Sequence, residues 1–564
     1  MITSLSLLVT FVKKPPFYVW ALLGITAAIP LFFVFSTGLV WENFLITYRF
    51  SENLARGQGL VYSPGEHVHG FTSPLNVLLP ALFAWVSGAK DFELPLWLFR
   101  LVSLAGLLFA VVSVTSVLSR AYAGSRAAVF GCCLFPLLAV LEIKTTAFAM
   151  NGQEAGLVLA FLAPAFALVW LGWREHALLG GVLWAGLMYS RPDGCVYIAI
   201  LGLTAFAFET TSRRQLVAAL LRSGLICAAL YLPWLLFTWA YYGSPIPYTI
   251  TAKHGVEYFA RFYDSDRNDF GMFGCLAAGI RTVPDMLRWA FGPIYDSAGI
   301  GPGTWPRWTH DCEFALELAA VLYWLIPTRD RLGRMASLCA FLIFAYLTYA
   351  NVAAPHAPWY FPPLAFMSLL TLTAAGAALT GRFARLPAAQ CFVLLALAGA
   401  GCLIAFIFLS SLRPLRLKQD IIDWGNRRLI GLWLKDHAGQ GETVYLEPLG
   451  YIGYFSRCKM LDWPGLVSPE VVAARRKLPS PSGYTWCETA ELLKPSWIVA
   501  RPNDVKLMQK SKFFLENYEP VKLFDVSDRV QAAITQQNGD IPGVNITFLD
   551  SVYIVFHRGK TAKP

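Results

Sequence analysis

The sequence predicts a polytopic all-α membrane protein of about eleven transmembrane helices, ending in a small extracytoplasmic α/β domain. Three observations carry this expectation. The chain is 56% hydrophobic and only 15% charged, and its charge thins out almost completely in windows long enough to cross a bilayer. Its 46 Lys and Arg outnumber 36 Asp and Glu, a net charge of +10 held mostly by arginines in short connections. From Leu412 onward the composition turns charged, and strand-like runs alternate with helical ones. Arginine placed this way fits positive-inside topology and argues against a nucleic-acid partner.

Lys13 and Lys14 precede an apolar run, 17–40, too long for a cleaved signal. It reads as an uncleaved first span with its N-terminus in the cytoplasm. Residues 41–74 then crowd Glu42, Asn43, Arg49, Glu52, Asn53, Arg56, Glu66, His67 and His69 between Phe44, Ile46, Tyr48, Phe50 and Leu54. A plain connector does not need that chemistry. The spacing predicts a short amphipathic helix to about Arg56, stopped by Gly57 and Gly59, and Pro64-Gly65 marks a turn. The run 75–86 is shorter than the roughly 20 residues a span needs. It reads as a helix in or against the membrane surface.

Further apolar runs lie near 95–118, 127–142, 154–171, 177–190, 194–208, 217–240, 314–328, 335–350, 359–379 and 389–410. With 75–86 left out of the count, Arg120, Arg126, Arg174, Arg213, Arg214, Arg329, Arg331, Arg334, Arg382 and Arg385 all fall on the cytoplasmic side. Segments 41–94, 143–153, 191–193, 241–313, 351–358 and the tail fall outside. The short runs 177–190 and 194–208, divided by Arg191-Pro192-Asp193-Gly194, read as two helices meeting at the outer face. The organisation is therefore a membrane domain, 1–411, with a first outer loop, 41–94, and an α/β domain, 412–564.

In the tail, strands are expected in VYLEP, WIVAR and SVYIVFHR, and helices near 419–435 and 469–477. No glycine-rich phosphate loop occurs there, and the glycines of GYIGYFS are wrongly spaced for a dinucleotide fold. The eleven cysteines show no zinc-ligand spacing. Cys458 and Cys487 would share an oxidising compartment, so a disulfide and two separate buried thiols both stand as expectations.

Polar groups recur beside the outer helix ends. They are Glu42 and Asn43, Lys144 with Asn151, Gln153 and Glu154, the turn carrying Arg191 and Asp193, YYGSPIPYTITAKH with Lys253 and His254, and His356 before WYFPP. Ionisable groups at such depth face a bundle interior or a water-filled cavity. Plainer roles are available to each: Glu154 capping a helix start, Arg191 and Asp193 pairing across their turn, Lys253 and the histidines simply solvated, Glu42 capping its helix or pairing with Arg49. The one-sided recurrence at five separated points suggests an outward-opening site.

The wording and order of these segments resemble the GT-C superfamily of membrane glycosyltransferases. The resemblance is to bacterial members related to mycobacterial arabinofuranosyltransferases and, more distantly, to aminoarabinose lipid A transferases and protein O-mannosyltransferases. The family-like first loop DD-x-FI-x-x-RYA-x-NLA-x-G-x-GLV-x-NPGE-x-VEG corresponds to EN-FLITYRFSENLARGQGLVYSPGEHVHG here. SGMET, TRPDG, YYG-x-x-x-PNT-x-x-AK and EPIGYIGYYS correspond to MNGQEAG, SRPDG, YYGSPIPYTITAK and EPLGYIGYFS. The chain departs from the pattern at Glu42-Asn43, where the family has two aspartates, at His69, and at Gln153-Glu154.

The resemblance implies a sugar donor carried on a polyprenyl phosphate, used at the outer face of a bacterial plasma membrane. The acceptor would be an envelope glycan, lipid or protein. It implies a catalytic pair, Glu42 and Asn43, and substrate contacts from Arg49, His69, Lys144, Glu154, Arg191, Asp193, Lys253 and His356. Among these, Arg191, Lys144 and Lys253 are the candidates for the donor phosphate. No cofactor is required with certainty, and a divalent metal is left open. A transporter or lipid-carrier flippase is the rival class, opposed by the lack of an inverted repeat and by the large outer domain. A non-catalytic glycan-binding relative is a third reading, motivated by the altered acidic pair.

Overall fold

Without water to bond, backbone amides in a membrane must be satisfied within their own segment, and each apolar run of the sequence folds as a helix. The computed structural model describes residues 17–123, 126–210, 212–253, 272–295, 305–353, 357–383, 385–478, 485–535, 542–544 and 550–559. The first helices are α1 (Phe17–Thr37), α2 (Glu42–Ala55), α3 (Leu75–Val86), α4 (Glu93–Ala121), α5 (Arg126–Leu141) and α6 (Ile143–Met150). They are followed by α7 (Ala155–Leu171), α8 (Ala177–Ser190), α9 (Gly194–Ala207), α10 (Arg213–Tyr242), α11 (Tyr248–Lys253) and α12 (Met272–Trp289). The bundle closes with α13 (Arg307–Leu322), α14 (Arg331–Ala353), α15 (Pro362–Arg382) and α16 (Pro387–His437).

Among the described residues, five helices are long and apolar enough to cross a membrane: α4, α10, α14, α15 and α16. Counting the bent pairs α1/α2 and α5/α6 raises this to seven. The other runs form shorter helices such as α7, 17 residues, and α9, 14 residues, so this measure does not reach the eleven expected from run length. The helix expected to lie on the surface is α3, 12 residues long, with Leu82, Trp85 and Val86 exposed.

α4 separates the two ends of the bundle, since its 29 residues rise about 1.5 Å each. Past its C-terminus, Tyr122 donates to Asp330 at 2.8 Å. At this end Arg331 also donates to the Phe208 carbonyl, and Arg174 pairs with Glu209. These connections were expected to share the cytoplasmic side, and they gather together. Before the N-terminus of α4, the Asp91 carbonyl accepts from Tyr48 of α2, so the first outer loop lies at the other end. Small residues let the helices approach: a Cβ on Gly106 of α4 would come within 2.9 Å of the Gly156 carbonyl on α7.

α16 continues unbroken through the 411/412 boundary for 51 residues and passes through a π-helical stretch at Lys418–Arg427. Beyond it comes a five-stranded sheet ordered β2-β1-β3-β5-β4. Its strands are β1 (Thr443–Leu446), β2 (Lys459–Asp462), β3 (Trp497–Ala500), β4 (Tyr518–Asp525) and β5 (Val552–Arg558). β1 runs parallel to β2 and β3, and β5 antiparallel to β3 and β4. β1, β3 and β5 are the three expected strands. β2 and β4 carry no comparable run of β-branched residues and were not foreseen.

Alternation along β1 decides what the sheet packs on. Val444 and Leu446 join Ile46, Phe50, Leu60 and Phe71 of the first outer loop in one core, while Tyr445 joins Trp463, Trp486 and Ile498 in another. The outer loop is therefore a floor under the tail domain, and both lie at the same end of the bundle. Cys458 packs against the first core and Cys487 sits within the second. Both thiols are free, and the disulfide expectation gives way to two separate thiols on opposite faces of the sheet.

Candidate active site

The chain turns sharply between the first span and the first outer helix. Gly38, with φ +61°, ends α1 in the left-handed region, and α2 leaves at 95° to it. The turn is held from several sides. The Trp41 amide donates to the Asn151 carbonyl at 2.9 Å. Its ring meets Phe148 at 5.0 Å, Tyr295 at 5.9 Å and Trp359 at 6.0 Å between centroids. Glu42 thereby opens α2, where a carboxylate is favoured by the helix dipole.

Both carboxylate oxygens of Glu42 have partners from the far end of the chain. Oε1 accepts from the Gly450 amide at 2.9 Å and Oε2 from Arg427 Nη1 at 3.0 Å. Arg427 also reaches Asp550 at 2.6 Å and Asp423 at 3.3 Å. Asp423 pairs with Lys418 at 2.6 Å, and Arg501 bridges Asp550 and Glu447, each at 2.6 Å. Three cations thus face four carboxylates, leaving one negative charge in excess. Against the desolvation that burial imposes, Arg427 and Arg501 hold the Asp550 carboxyl well below the usual carboxylate range. Glu42 is the more open member of its pair, its side chain 24% exposed against 6% for Arg427. Asn43 is half-buried beside it.

A second constellation joins three of the sequence segments. Arg191 Nη1 lies 2.7 Å from Glu154 and its Nε 2.8 Å from Asp193. Its guanidinium stacks on Tyr360, 4.2 Å from the ring centroid, and Tyr346 donates to Asp193 at 3.3 Å. The pairing of Arg191 with Asp193 foreseen as a plainer role is present, and Glu154 binds the same guanidinium. Tyr360 and Trp359 are ring neighbours at 6.1 Å. An aromatic run, Trp41–Trp359–Tyr360, therefore connects the Glu42 and Arg191 groups.

The remaining candidates are spread out. Lys144 donates to the carbonyls of Trp289, at 2.5 Å, and Gly292, a cation at the C-terminal end of α12. Arg49 donates to the carbonyls of Gly453, at 2.6 Å, and of Arg457 and Cys458, and its guanidinium covers Tyr62 at 4.3 Å. It ties the loop to the tail. Lys253 ends α11, but its side chain, like His254 and His356, lies outside the described residues. Sequence reasoning missed Lys418, Asp423, Arg427, Arg501 and Asp550. The one local signal for any of them was the i,i+4 spacing of Asp423 and Arg427 in a stretch already read as helical.

His69 is buried, stacked on Tyr242 at 4.7 Å and edge-on to Phe71, and its Nδ1 meets no hydrogen-bond partner. Burial pushes its imidazole down to about 4, below the ordinary value near 6.5. Folding therefore favours the neutral ring. That contribution is complete above about pH 6.5 and is lost as pH falls toward about 4, on the order of 3 kcal/mol in all. Melting of the full chain in detergent should fall more steeply with acidification across this window than melting of His69→Phe. Parallel curves would refute it.

Among the described residues, no three or more His, Cys, Asp or Glu side chains are grouped so as to hold a metal ion. The carboxylates around Glu42 are interleaved with Lys418, Arg427 and Arg501.

Comparison with known proteins identifies the fold first. The chain is similar along 97% of its length to ArnT from Cupriavidus metallidurans bound to undecaprenyl phosphate, covering 99% of that structure with a TM-score of 0.52 at 12% identity. It is similar along 91% of its length to the oligosaccharyltransferase AglB from Archaeoglobus fulgidus, in complex with an inhibitory peptide and a dolichol-phosphate. That match covers 73% of AglB with a TM-score of 0.53 at 14% identity. The chain shares its overall fold with ArnT and with AglB.

The sequence relatives are more particular. A terminal β-(1→2)-arabinofuranosyltransferase of Mycobacterium tuberculosis is 28% identical over 250 residues, 41% of this chain and 38% of the relative. The enzyme of the same name in Corynebacterium glutamicum is 28% identical over 278 residues, 43% of this chain and 38% of the relative. The matched region thus spans about two-fifths of each curated relative. Residues 419–541 match a family described as a domain of unknown function, DUF8728.

Proposed function

We propose that this protein is a glycosyltransferase that moves a sugar from a polyprenyl-phosphate carrier to an envelope glycan, lipid or protein. The reaction would take place at the outer face of a bacterial plasma membrane. The observation that carries the reading is the seating of Glu42, a partly open carboxylate at the mouth of a GT-C bundle, between the first span and the tail domain. The names of the sequence relatives and the polyprenyl phosphates bound in the two neighbouring folds support the same chemistry. The membrane domain is read as residues 1–411, with its eleven apolar runs as crossings, and 412–564 as the extracytoplasmic domain.

In this reading an acceptor hydroxyl oxygen attacks the anomeric carbon while the bond from that carbon to the phosphate oxygen breaks. The hydroxyl proton passes to Glu42, and polyprenyl phosphate leaves with the electron pair. Asn43 orients the acceptor or the carboxylate by hydrogen bonding, since an amide cannot take the proton. Lys144 and Lys253 are the candidate cations for the departing phosphate, while Arg191 is held by Glu154 and Asp193 and keeps the turn between α8 and α9 in place. Arg49, His69 and Glu154 shape the walls of the site, and His356 lies in the segment that leads to Trp359 and Tyr360.

The test is transfer of labelled sugar from a panel of polyprenyl-phosphate sugars to envelope extracts by the purified full-length chain. Covalent transfer with at least one donor is expected. Movement of substrate into sealed vesicles without covalent transfer would overturn the proposal in favour of a transporter.

A further inference from the structure

Arg427 is, with the Gly450 amide, one of two tail groups that bind the Glu42 carboxylate, and its own geometry is over-determined. Nη2 is bound to Asp550 at 2.6 Å, Nη1 is shared between Asp423 and Glu42, and Nε donates to Tyr553 at 3.4 Å. The π-helical stretch Lys418–Arg427 produces this arrangement. Its wider winding bonds residues five apart, and the Lys418–Asp423 pair has that spacing at 2.6 Å. One face of the helix therefore carries Lys418, Asp423 and Arg427 toward the loop. Gly450 supplies the second hold. A Cβ there would clash with the Glu42 side chain and carbonyl, so only glycine lets the 450 amide reach Oε1.

Two of the roughly four lone-pair positions of a carboxylate are used by these donors, which leaves acceptor capacity for a hydroxyl proton. We infer that Arg427 is a positioning residue that holds Glu42 for proton acceptance. Fixing this carboxylate is then a role of the segment 419–541, which carries Asp423, Arg427, Glu447, Gly450 and Arg501. The inference rests on the assignment of Glu42 as the base.

The experiment compares transfer kinetics of Arg427→Gln, Arg427→Lys, Glu42→Gln and Lys459→Gln in the full-length chain, with folding checked by size exclusion and melting. Lys459 is the control for domain docking. It joins Glu66 of the outer loop to Glu470 of the tail, at 2.5 and 2.9 Å, without touching Glu42. A carboxylate displaced by an ångström loses roughly 10²-fold in kcat, so Arg427→Gln should show about that loss with KM nearly unchanged. Arg427→Lys keeps the charge without the fork and should recover part of the loss. Lys459→Gln should turn over like wild type.

Wild-type kcat in folded Arg427→Gln, with Glu42→Gln inactive, would overturn the inference and leave the base assignment standing. Equal losses in Arg427→Gln and Lys459→Gln would overturn it in favour of simple docking. Wild-type turnover by Glu42→Gln would remove the base assignment and the inference together. If Arg427→Gln does not fold, Arg427→Lys decides the matter, because it keeps a cation for Asp423 and Asp550 but lacks the fork that also reaches Glu42. A lower kcat at unchanged KM supports the inference, and unchanged kcat overturns it.

Discussion

Glu42→Gln is expected to lower turnover by on the order of 10²–10⁴, the loss that follows removal of a general base. The structure makes this substitution informative because it is nearly isosteric. A glutamine oxygen still accepts from the Gly450 amide, which now lies 2.9 Å from Oε1. Arg427 keeps Asp423 and Asp550 as partners, so no buried cation is stranded and the variant should fold. Glu42→Asp retains the acid but pulls it back by one methylene from both donors, and should fall between wild type and Glu42→Gln. Near-wild-type turnover by folded Glu42→Gln would falsify the assignment. Inactivity of the parent with every donor, together with transfer gained by Asn43→Asp, would instead identify a relative that has lost its second acid.

The second large effect is expected at Arg191, and it should appear in stability. Glu154 and Asp193 are both nearly buried, their side chains 9% and 12% exposed, and both depend on one guanidinium. Arg191→Met leaves two carboxylates without a cation, a change worth about 3–5 kcal/mol for a broken buried ion pair. Arg191→Lys keeps the charge but cannot reach both acids and also stack on Tyr360 as a planar group, so an intermediate loss is expected. Adding Glu154→Gln and Asp193→Asn to Arg191→Met should restore much of the melting temperature, because the uncompensated charges are then gone. A residue whose whole task were binding donor phosphate would behave differently. Its loss would raise the donor KM and leave melting unchanged, and that outcome would return Arg191 to the phosphate.

Local pattern carried most of the architecture. Run length and hydropathy located the apolar helices of the membrane domain, because a helix satisfies its own backbone wherever water is absent, but α6, α11 and α12 lie in segments read only as outer connections. Gly57 and the Pro64-Gly65 turn, with φ of +73° and +86° at the glycines, fall where backbone geometry demands them. The two strands that escaped notice, β2 and β4, show why the reading stops there. The exposed β4, carrying Glu519, Pro520 and Lys522, owes its conformation to pairing with β5, and nothing in its own residues requires it.

The candidate site divides along the same line. By itself the sequence determined that Glu42 and Asn43 follow the first apolar run and that Arg191 and Asp193 share a turn between two short helices. Only the tertiary structure decided which charges meet. Glu42 finds Arg427 across 385 residues and Gly450 across 408, and Arg191 finds Glu154 across 37. Helical and strand periods act over a few residues and say which face of an element is buried. The partner of a buried charge depends instead on how distant elements pack, here on the path of α16 through its π-helical turn into the tail, and no periodicity records that path.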